Sequence, residues 1–314
     1  MEISAPVDTI SSLPDAILCR FLSLLTTKEA VATSVLSKRW IHLFLSVPNL
    51  HFTNINVDSV ESTLLFNEFV YSILVSRYTA GSNLINSFRL DIGFDNPNLA
   101  HCYAFPSITK WVNLVVQRKL EHLRLHIHVD YSDINYDYDY DYDYDIDIDI
   151  HFPKEFPKMP VSIFTCKTLV SLDLRWFRVE GFSFSSDGFQ FPSLKTLKLE
   201  HIPFFDIRDF MLLLAGCPIL EDLEVSQVLL PGHENPLTLQ EFKTLTFPKL
   251  IRAVVQFIGH CFPVNALSTT KYLCINTLKV LNIVDYWYTD DHPVIRVHLI
   301  VNMMHATSIQ YNEM

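Results

Sequence analysis

The densest group of chemically able side chains is His122, Arg124, His126, His128 and Asp130, five residues at alternate positions. On a strand they share one face, because side chains alternate with period two. Imidazoles with a carboxylate are the makings of a zinc site, but neighbours on one strand face stand about 7 Å apart, too far to close on one ion without a bend. The pattern therefore predicts a solvated strand face and no metal. The six cysteines, Cys19, Cys102, Cys166, Cys217, Cys261 and Cys274, include no C-x-x-C pair. They fit buried thiols in a reducing compartment, not a disulfide scaffold or a thiolate zinc knot. Cys19 and Cys217 fall in helical or capping contexts and read as small apolar fillers rather than nucleophiles. With no Ser-His-Asp spacing, H-E-x-x-H pair or Gly-rich phosphate loop, the sequence predicts no catalysis and no cofactor.

Charge narrows the partners. Lys and Arg number 24 against 35 Asp and Glu, a net −11, which argues against nucleic acid as a partner. Tyr136–Ile150 alone contributes seven aspartates and no basic residue. As a strand this alternation would crowd the carboxylates on one face, where they repel. A disordered or fraying insertion is expected instead. Apolar runs such as Phe210–Ala215 fall far short of the roughly 20 residues needed to cross a bilayer, so no membrane association is expected. Met1–Asp8 lacks the basic lead-in of a secretory signal.

Two kinds of element carry these residues. The first is helical, from Ile10 to Leu50. Pro14 suits a first helical turn, Asp15 favours the positive helix end, and Ile17, Leu18, Phe21, Leu22 and Leu25 recur at spacings of three and four. Thr26 with Glu29 three residues on predicts a capping box opening a second helix. A third runs through Lys38, Arg39, Trp40, Leu43 and Phe44, and Pro48 closes the module. Three short helices bury little surface, so the module is expected to be completed by another domain or another protein.

The second element is a repeat. The pattern L-x-x-L-x-L recurs at Leu120/Leu123/Leu125, Leu169/Leu172/Leu174, Leu194/Leu197/Leu199, Leu220/Leu223/Val225, Leu250/Ala253/Val255 and Leu278/Leu281/Ile283, with a weaker copy at Ile85/Phe88/Leu90. First positions mostly lie 25 to 30 residues apart, and the 49 between Leu120 and Leu169 reads as two periods. One alternating strand per such period is the mark of a leucine-rich-repeat solenoid. Phe191-Pro192, Cys217-Pro218 and Phe247-Pro248 would turn the chain into the sheet. Asp206 would cap a return helix that packs Phe210, Leu213 and Leu214 inward and stops at Gly216.

Ile10 to Phe52, with its Leu-Pro-Asp opening, Thr-Lys-Glu-Ala turn and Ser-Val-Leu-Ser-Lys-Arg-Trp centre, closely resembles the F-box of plant proteins. Phe-Pro-Ser-Leu-Lys-Thr-Leu-Lys-Leu and Cys-Pro-Ile-Leu-Glu-Asp-Leu-Glu resemble the repeats of the plant F-box/leucine-rich-repeat group, so the likeness covers most of the chain. The resemblance implies an α+β fold, a three-helix F-box followed by an irregular leucine-rich-repeat α/β solenoid. The implied divisions are an F-box at 8–52, a linker and first degenerate repeats at 53–118, repeats at 119–285 with the insertion at 136–150, and a divergent tail at 286–314. That tail departs from the FBD segment of many members, which is expected to be incomplete here.

The resemblance also implies a role. The F-box would grip a Skp-type adaptor, and through it a cullin and a RING protein, while the repeats hold a target protein of unstated identity. This places the chain in nucleus or cytoplasm as the substrate-recognition subunit of a ubiquitin ligase. The alternative is a scaffold or decoy that binds partners without ubiquitin transfer. By motif position Leu13, Pro14, Ile17, Leu18, Leu22, Val35, Leu36 and Trp40 would face the adaptor, with Lys38 and Arg39 at the rim. On the repeats, strand alternation turns Asp173, Arg175, Lys198, Glu200, Glu224, Arg252 and Gln256 outward as target-binding candidates.

Overall fold

Local signals decide where each helix begins. In the computed structural model, which describes residues 10, 12–82, 84–130, 156–180, 190–230, 244–256 and 262–276, Pro14 opens α1 (Asp15–Leu22) with Asp15 in its first turn. Thr26 then opens α2 (Thr27–Ala32) through the expected capping box: its amide donates to Glu29 Oε2 at 2.8 Å, and its own oxygen accepts from the Glu29 amide at 3.3 Å. A 3-10 turn, Thr33–Val35, separates it from α3 (Lys38–Ser46).

After Pro48 the chain enters a sheet at once. The strands are β1 (Asn49–Val57), β2 (Ser87–Phe94), β3 (His122–Val129), β4 (Ser171–Arg175), β5 (Thr196–Glu200), β6 (Asp222–Ser226), β7 (Arg252–Gln256) and β8 (Tyr272–Asn276). They pair in parallel, each with the next in the chain. That order is what a solenoid requires, since each repeat then touches only its neighbours. The return paths run through α4 (Val60–Thr79) between β1 and β2. Between β2 and β3 they run through a one-turn α5 (Pro97–Leu99) and α6 (Phe105–Val116). Among the described residues after β3, the return paths include a 3-10 turn before β4, α7 (Ile207–Ala215) before β6 and a 3-10 turn before β8. Asp206 caps α7 by accepting from the Arg208 amide at 2.8 Å, and Phe210, Leu213 and Leu214 are buried, as the sequence predicts.

Register turns the leucine pattern into a core. Leu50, Phe88, Leu123, Leu172, Leu197, Leu223, Ala253 and Leu273 form one inward row, and Phe52, Leu90, Leu125, Leu174, Leu199, Val225, Val255 and Ile275 the next. Phe191, Cys217 and Phe247 are buried beneath the turns into the sheet. Burying each such side chain fully contributes about 1.5–3 kcal/mol, which favours stacked repeats over separate ones.

Two expectations change. β3 pairs directly with β4, His122 beside Ser171, so no strand can intervene and the 49-residue interval is one repeat carrying an insertion, not two periods. The sheet also starts earlier than the leucine pattern does: Val47, Leu50 and Phe52 form a copy inside the segment assigned to the helical module, and their side chains are buried. At the other end, β8 escapes the pattern because Thr270 stands where the first leucine would be. The copy at Leu278, the tract at 136–150 and the C-terminal tail lie outside the described residues.

The helical module is joined to this sheet. Thr27 Oγ1 accepts from the His51 amide at 2.8 Å, tying α2 to β1. Arg77, buried at the end of α4, donates to the Phe44 carbonyl at 3.4 Å and the Leu84 carbonyl at 3.1 Å. Phe44 lies in the last turn of α3, where carbonyls lack helical partners and a cation is favourable. Burial, with Arg118 nearby, lowers the Arg77 pKa to about 10, which still leaves it charged at neutral pH.

Candidate interaction surfaces

Helix α1 carries two apolar stripes, and only one is covered. Leu18 and Leu22 belong to the same continuous core as the strands, together with Ala30, Trp40, Leu43 and Phe44. Ile17 and Phe21, with Leu24 in the turn just after the helix, form a second stripe that faces outward, Leu24 being 79% exposed. Beyond α2, Val35 and Leu36 stand out from the 3-10 turn at 85% and 64% exposure. Single exposed leucines are ordinary, but this many on one short module form the kind of patch that proteins use for contact.

The expected adaptor-facing set therefore divides. Pro14, Ile17, Val35, Leu36 and Lys38 are exposed, and Leu13 is half-buried against the core. Leu18, Leu22 and Trp40 are not available to a partner in this structure. They hold the helices to one another and to the sheet, because an amphipathic helix this short buries its most enclosed stripe first. Arg39 also ties the helices together: its Nε donates to Asp15 at 2.8 Å and its Nη2 to the Leu13 carbonyl at 2.6 Å, fixing the start of α1 to α3. Phe21 and Leu24, absent from the expected set, join the exposed surface.

The concave face is built differently. Its outward residues alternate with buried ones on β4 to β7, as the sequence predicts. Parallel register then sets unlike charges side by side. Asp173 receives Arg124 at 3.4 Å and His126 Nε2 at 2.7 Å; Arg175 pairs with Glu200; Lys198 meets Glu224 at 2.8 Å; Arg252 reaches Asp222 at 2.8 Å and Glu224 at 3.5 Å. Burial pushes the Asp173 carboxyl up, but the His126 hydrogen bond and the charges of His126, Arg124 and Lys198 outweigh it and hold the pKa below its ordinary value. The Lys198 hydrogen bond similarly lowers Glu224. The Arg252 pKa is raised, chiefly by its hydrogen bond to Asp222.

The histidine-rich strand face is thus part of an ion-pair ladder. Among the described residues no group of three or more His, Cys, Asp or Glu side chains is arranged to hold a metal ion, and no helix is long and apolar enough to cross a membrane. Cys217 is buried, which raises its thiol pKa to about 12.

Comparison with known proteins finds matches in both the helical module and the repeats. The F-box domain model matches residues 10–52, and the model described as FBD-associated F-box protein At5g56370, LRR repeats, matches residues 146–245. The Arabidopsis thaliana F-box/LRR-repeat protein At4g14096 is 32% identical over 259 residues, covering 80% of this chain and 45% of that protein. The F-box/LRR-repeat protein At4g14103 of the same plant is 33% identical over 233 residues, covering 73% and 52%. The chain belongs to the plant F-box/LRR-repeat family. It spans about half the length of the curated relatives it matches. No solved structure matches it.

Within this F-box/LRR-repeat chain the F-box match ends at Phe52, so the matched segment reaches into the first half of β1, to which α2 is tied. A further regularity escaped the leucine pattern. Asn54, Trp176, His201 and Gln227 all adopt positive φ, between 51° and 67°. Each lies seven residues after the first apolar position of its repeat, at Val47, Leu169, Leu194 and Leu220. The amides of Trp176, His201 and Gln227 donate to the carbonyl ending the next strand, at 3.1, 3.1 and 3.0 Å.

Proposed function

We propose that the chain is the substrate-recognition subunit of a Skp–cullin–F-box ubiquitin ligase. In this reading residues 8–52 recruit a Skp-type adaptor, and through it a cullin and a RING protein, in the nucleus or cytoplasm. The observation that carries the reading is the second apolar stripe, Ile17, Phe21 and Leu24, with Val35 and Leu36: apolar area that the chain's own sheet leaves uncovered. Anchors of this kind give a desolvated binding centre, and Pro14 and Lys38 would border it. The concave residues Asp173, Arg175, Lys198, Glu200, Glu224, Arg252 and Gln256 would meet the target protein. The chain then contributes proximity, holding a target lysine near a ubiquitin-charged partner, and no catalytic group of its own.

The self-compensated charge ladder favours a second reading, a scaffold or decoy, because a target must displace existing pairs to use those charges. Affinity purification from plant cells with proteasome inhibitor separates the two. A receptor recovers adaptor and cullin and increases ubiquitin conjugates on a bound protein, whereas a scaffold recovers partners without conjugates. If Leu24→Asp with Val35→Asp retained adaptor at the level of the unaltered chain, the assignment of the apolar stripe would fail.

A further inference from the structure

Where the strands end, the repeats build a shelf of rings. Trp176 stacks on His201 with ring centres 4.4 Å apart and planes 16° from parallel. Phe156 meets the Trp176 ring edge-on at 5.2 Å, and His128, from β3, does so at 6.0 Å. Stacked and edge-to-face pairs are the arrangements aromatic quadrupoles favour. The positive φ shared by Trp176, His201 and Gln227 carries these three side chains to equivalent places at the rim of successive repeats. Beyond the turns the chain continues the stacking through isolated parallel bridges, Val179 beside Phe204 and Pro203 beside Leu229.

Between shelf and bridges lies a cavity of about 280 Å³ lined by Phe156, His201, Gln227 and Leu229. Among the described residues its lining is two apolar side chains, one imidazole and one amide, with no carboxylate or ammonium to receive a full charge. Burial, with Arg175 and His128 adding to it and Glu200 opposing, holds the His201 pKa below its ordinary value. A buried charge without a partner is costly, so the chemistry suits an uncharged ring with one hydrogen-bonding edge. The volume is just under the roughly 300–1,000 Å³ of sites that enclose drug-sized ligands, and fits one side chain. His201, which lines the cavity, directly follows Glu200 of the charged ladder, so a polypeptide on the concave face lies within reach of the cavity.

We infer that this cavity is a specificity pocket for one uncharged aromatic side chain of the target polypeptide, with Phe156 and the Trp176-backed ring of His201 as its aromatic walls and Gln227 as its polar edge. The inference rests on the reading that the repeats hold a target, and adds what kind of residue that target presents. The charged ladder sets orientation and the pocket supplies selectivity, a division also seen where buried anchors sit inside polar rims.

Random peptides displayed on phage and selected on the full chain with its adaptor test this. The expected result is enrichment of peptides with one Trp, Tyr or Phe, whose replacement by Ala weakens binding at least tenfold. Gln227→Trp should abolish that tenfold difference by placing a ring over the mouth. The backbone accepts it, since Trp176 occupies the same left-handed conformation one repeat earlier but one. Gln227→Asn should keep the preference, and Leu229→Ala should shift it towards Trp. Enrichment without an aromatic, or an aromatic preference indifferent to Gln227→Trp, overturns the pocket. N-acetyl-tryptophanamide binding as tightly as the peptides would assign the cavity to a free small ring and overturn the polypeptide occupant. Peptides lost with Lys198→Glu yet unaffected by Gln227→Trp remove the pocket but leave the target-holding reading intact; peptides unaffected by either remove both.

Discussion

The helical module and the repeat sheet treat their surplus groups in opposite ways. On α1 and the 3-10 turn, apolar side chains beyond those the core needs are exposed among the described residues. On the concave face, charges beyond those solubility needs are turned on one another. An uncovered apolar stripe lowers its free energy when any matching surface covers it, so it favours a standing interaction. A compensated ladder gains little from a generic partner and discriminates among them, because each wrong charge breaks a pair without replacing it.

The comparison is broken most severely from inside. Trp40→Ala and Phe210→Ala each empty a site in the shared core, and either should cost about 3–5 kcal/mol in urea unfolding. Trp40, although it lies in the module, should behave as a core residue of the whole chain. A module that melted by itself after Trp40→Ala, with the sheet intact, would show the two regions to be uncoupled. Next in size is the outward surface: Val35→Ser with Leu36→Ser should weaken adaptor binding about 100-fold, the scale of interface hot spots. Its unfolding free energy should stay within about 0.5 kcal/mol, as for other exposed positions. Loss of stability without loss of binding would reverse the assignment.

Asp173 sharpens the other side. Its native pKa is lowered, so its stabilisation is complete above the ordinary carboxylate range, near pH 4, and is lost as pH falls through the lower native value. Asp173→Asn should cost about 2 kcal/mol at pH 7, the scale of a hydrogen bond to a charged group. The cost should shrink below pH 4, and a difference that stayed constant from pH 7 to pH 2 would contradict the ladder. Lys198→Ala, on a pair more than a third exposed on both sides, should change stability by only about 0.5 kcal/mol. It should do so less at high salt.

How far the sequence carries depends on what each residue reports. The inward rows from β3 to β7 were legible because leucines at fixed offsets record both strand and facing. β1 and β8 were obscured where Phe52 and Thr270 stand in leucine positions, and an insertion between Leu120 and Leu169 is indistinguishable by spacing from a lost repeat. The exposed apolar stripe was only half legible. Periodicity shows that α1 has apolar stripes, but which stripe is covered depends on where α3 and β1 lie. The ion-pair ladder required strand order, since Lys198 and Glu224 become neighbours only when β5 and β6 are known to adjoin. The ring shelf left a trace, the seven-residue offset, that hydrophobic patterning does not read because Trp176, His201 and Gln227 share no hydropathy.

Arg77 places a charged guanidinium inside the molecule with its Nε unsatisfied, anchored to carbonyls of Phe44 and Leu84. A joint made this way resists swivelling, because rotation of α3 against α4 would take the Phe44 oxygen away from a buried cation that has few others. The outward stripe of the helices is consequently held at a set bearing to the charged face of the sheet, and the spacing of the two surfaces becomes a property of the polypeptide instead of chance.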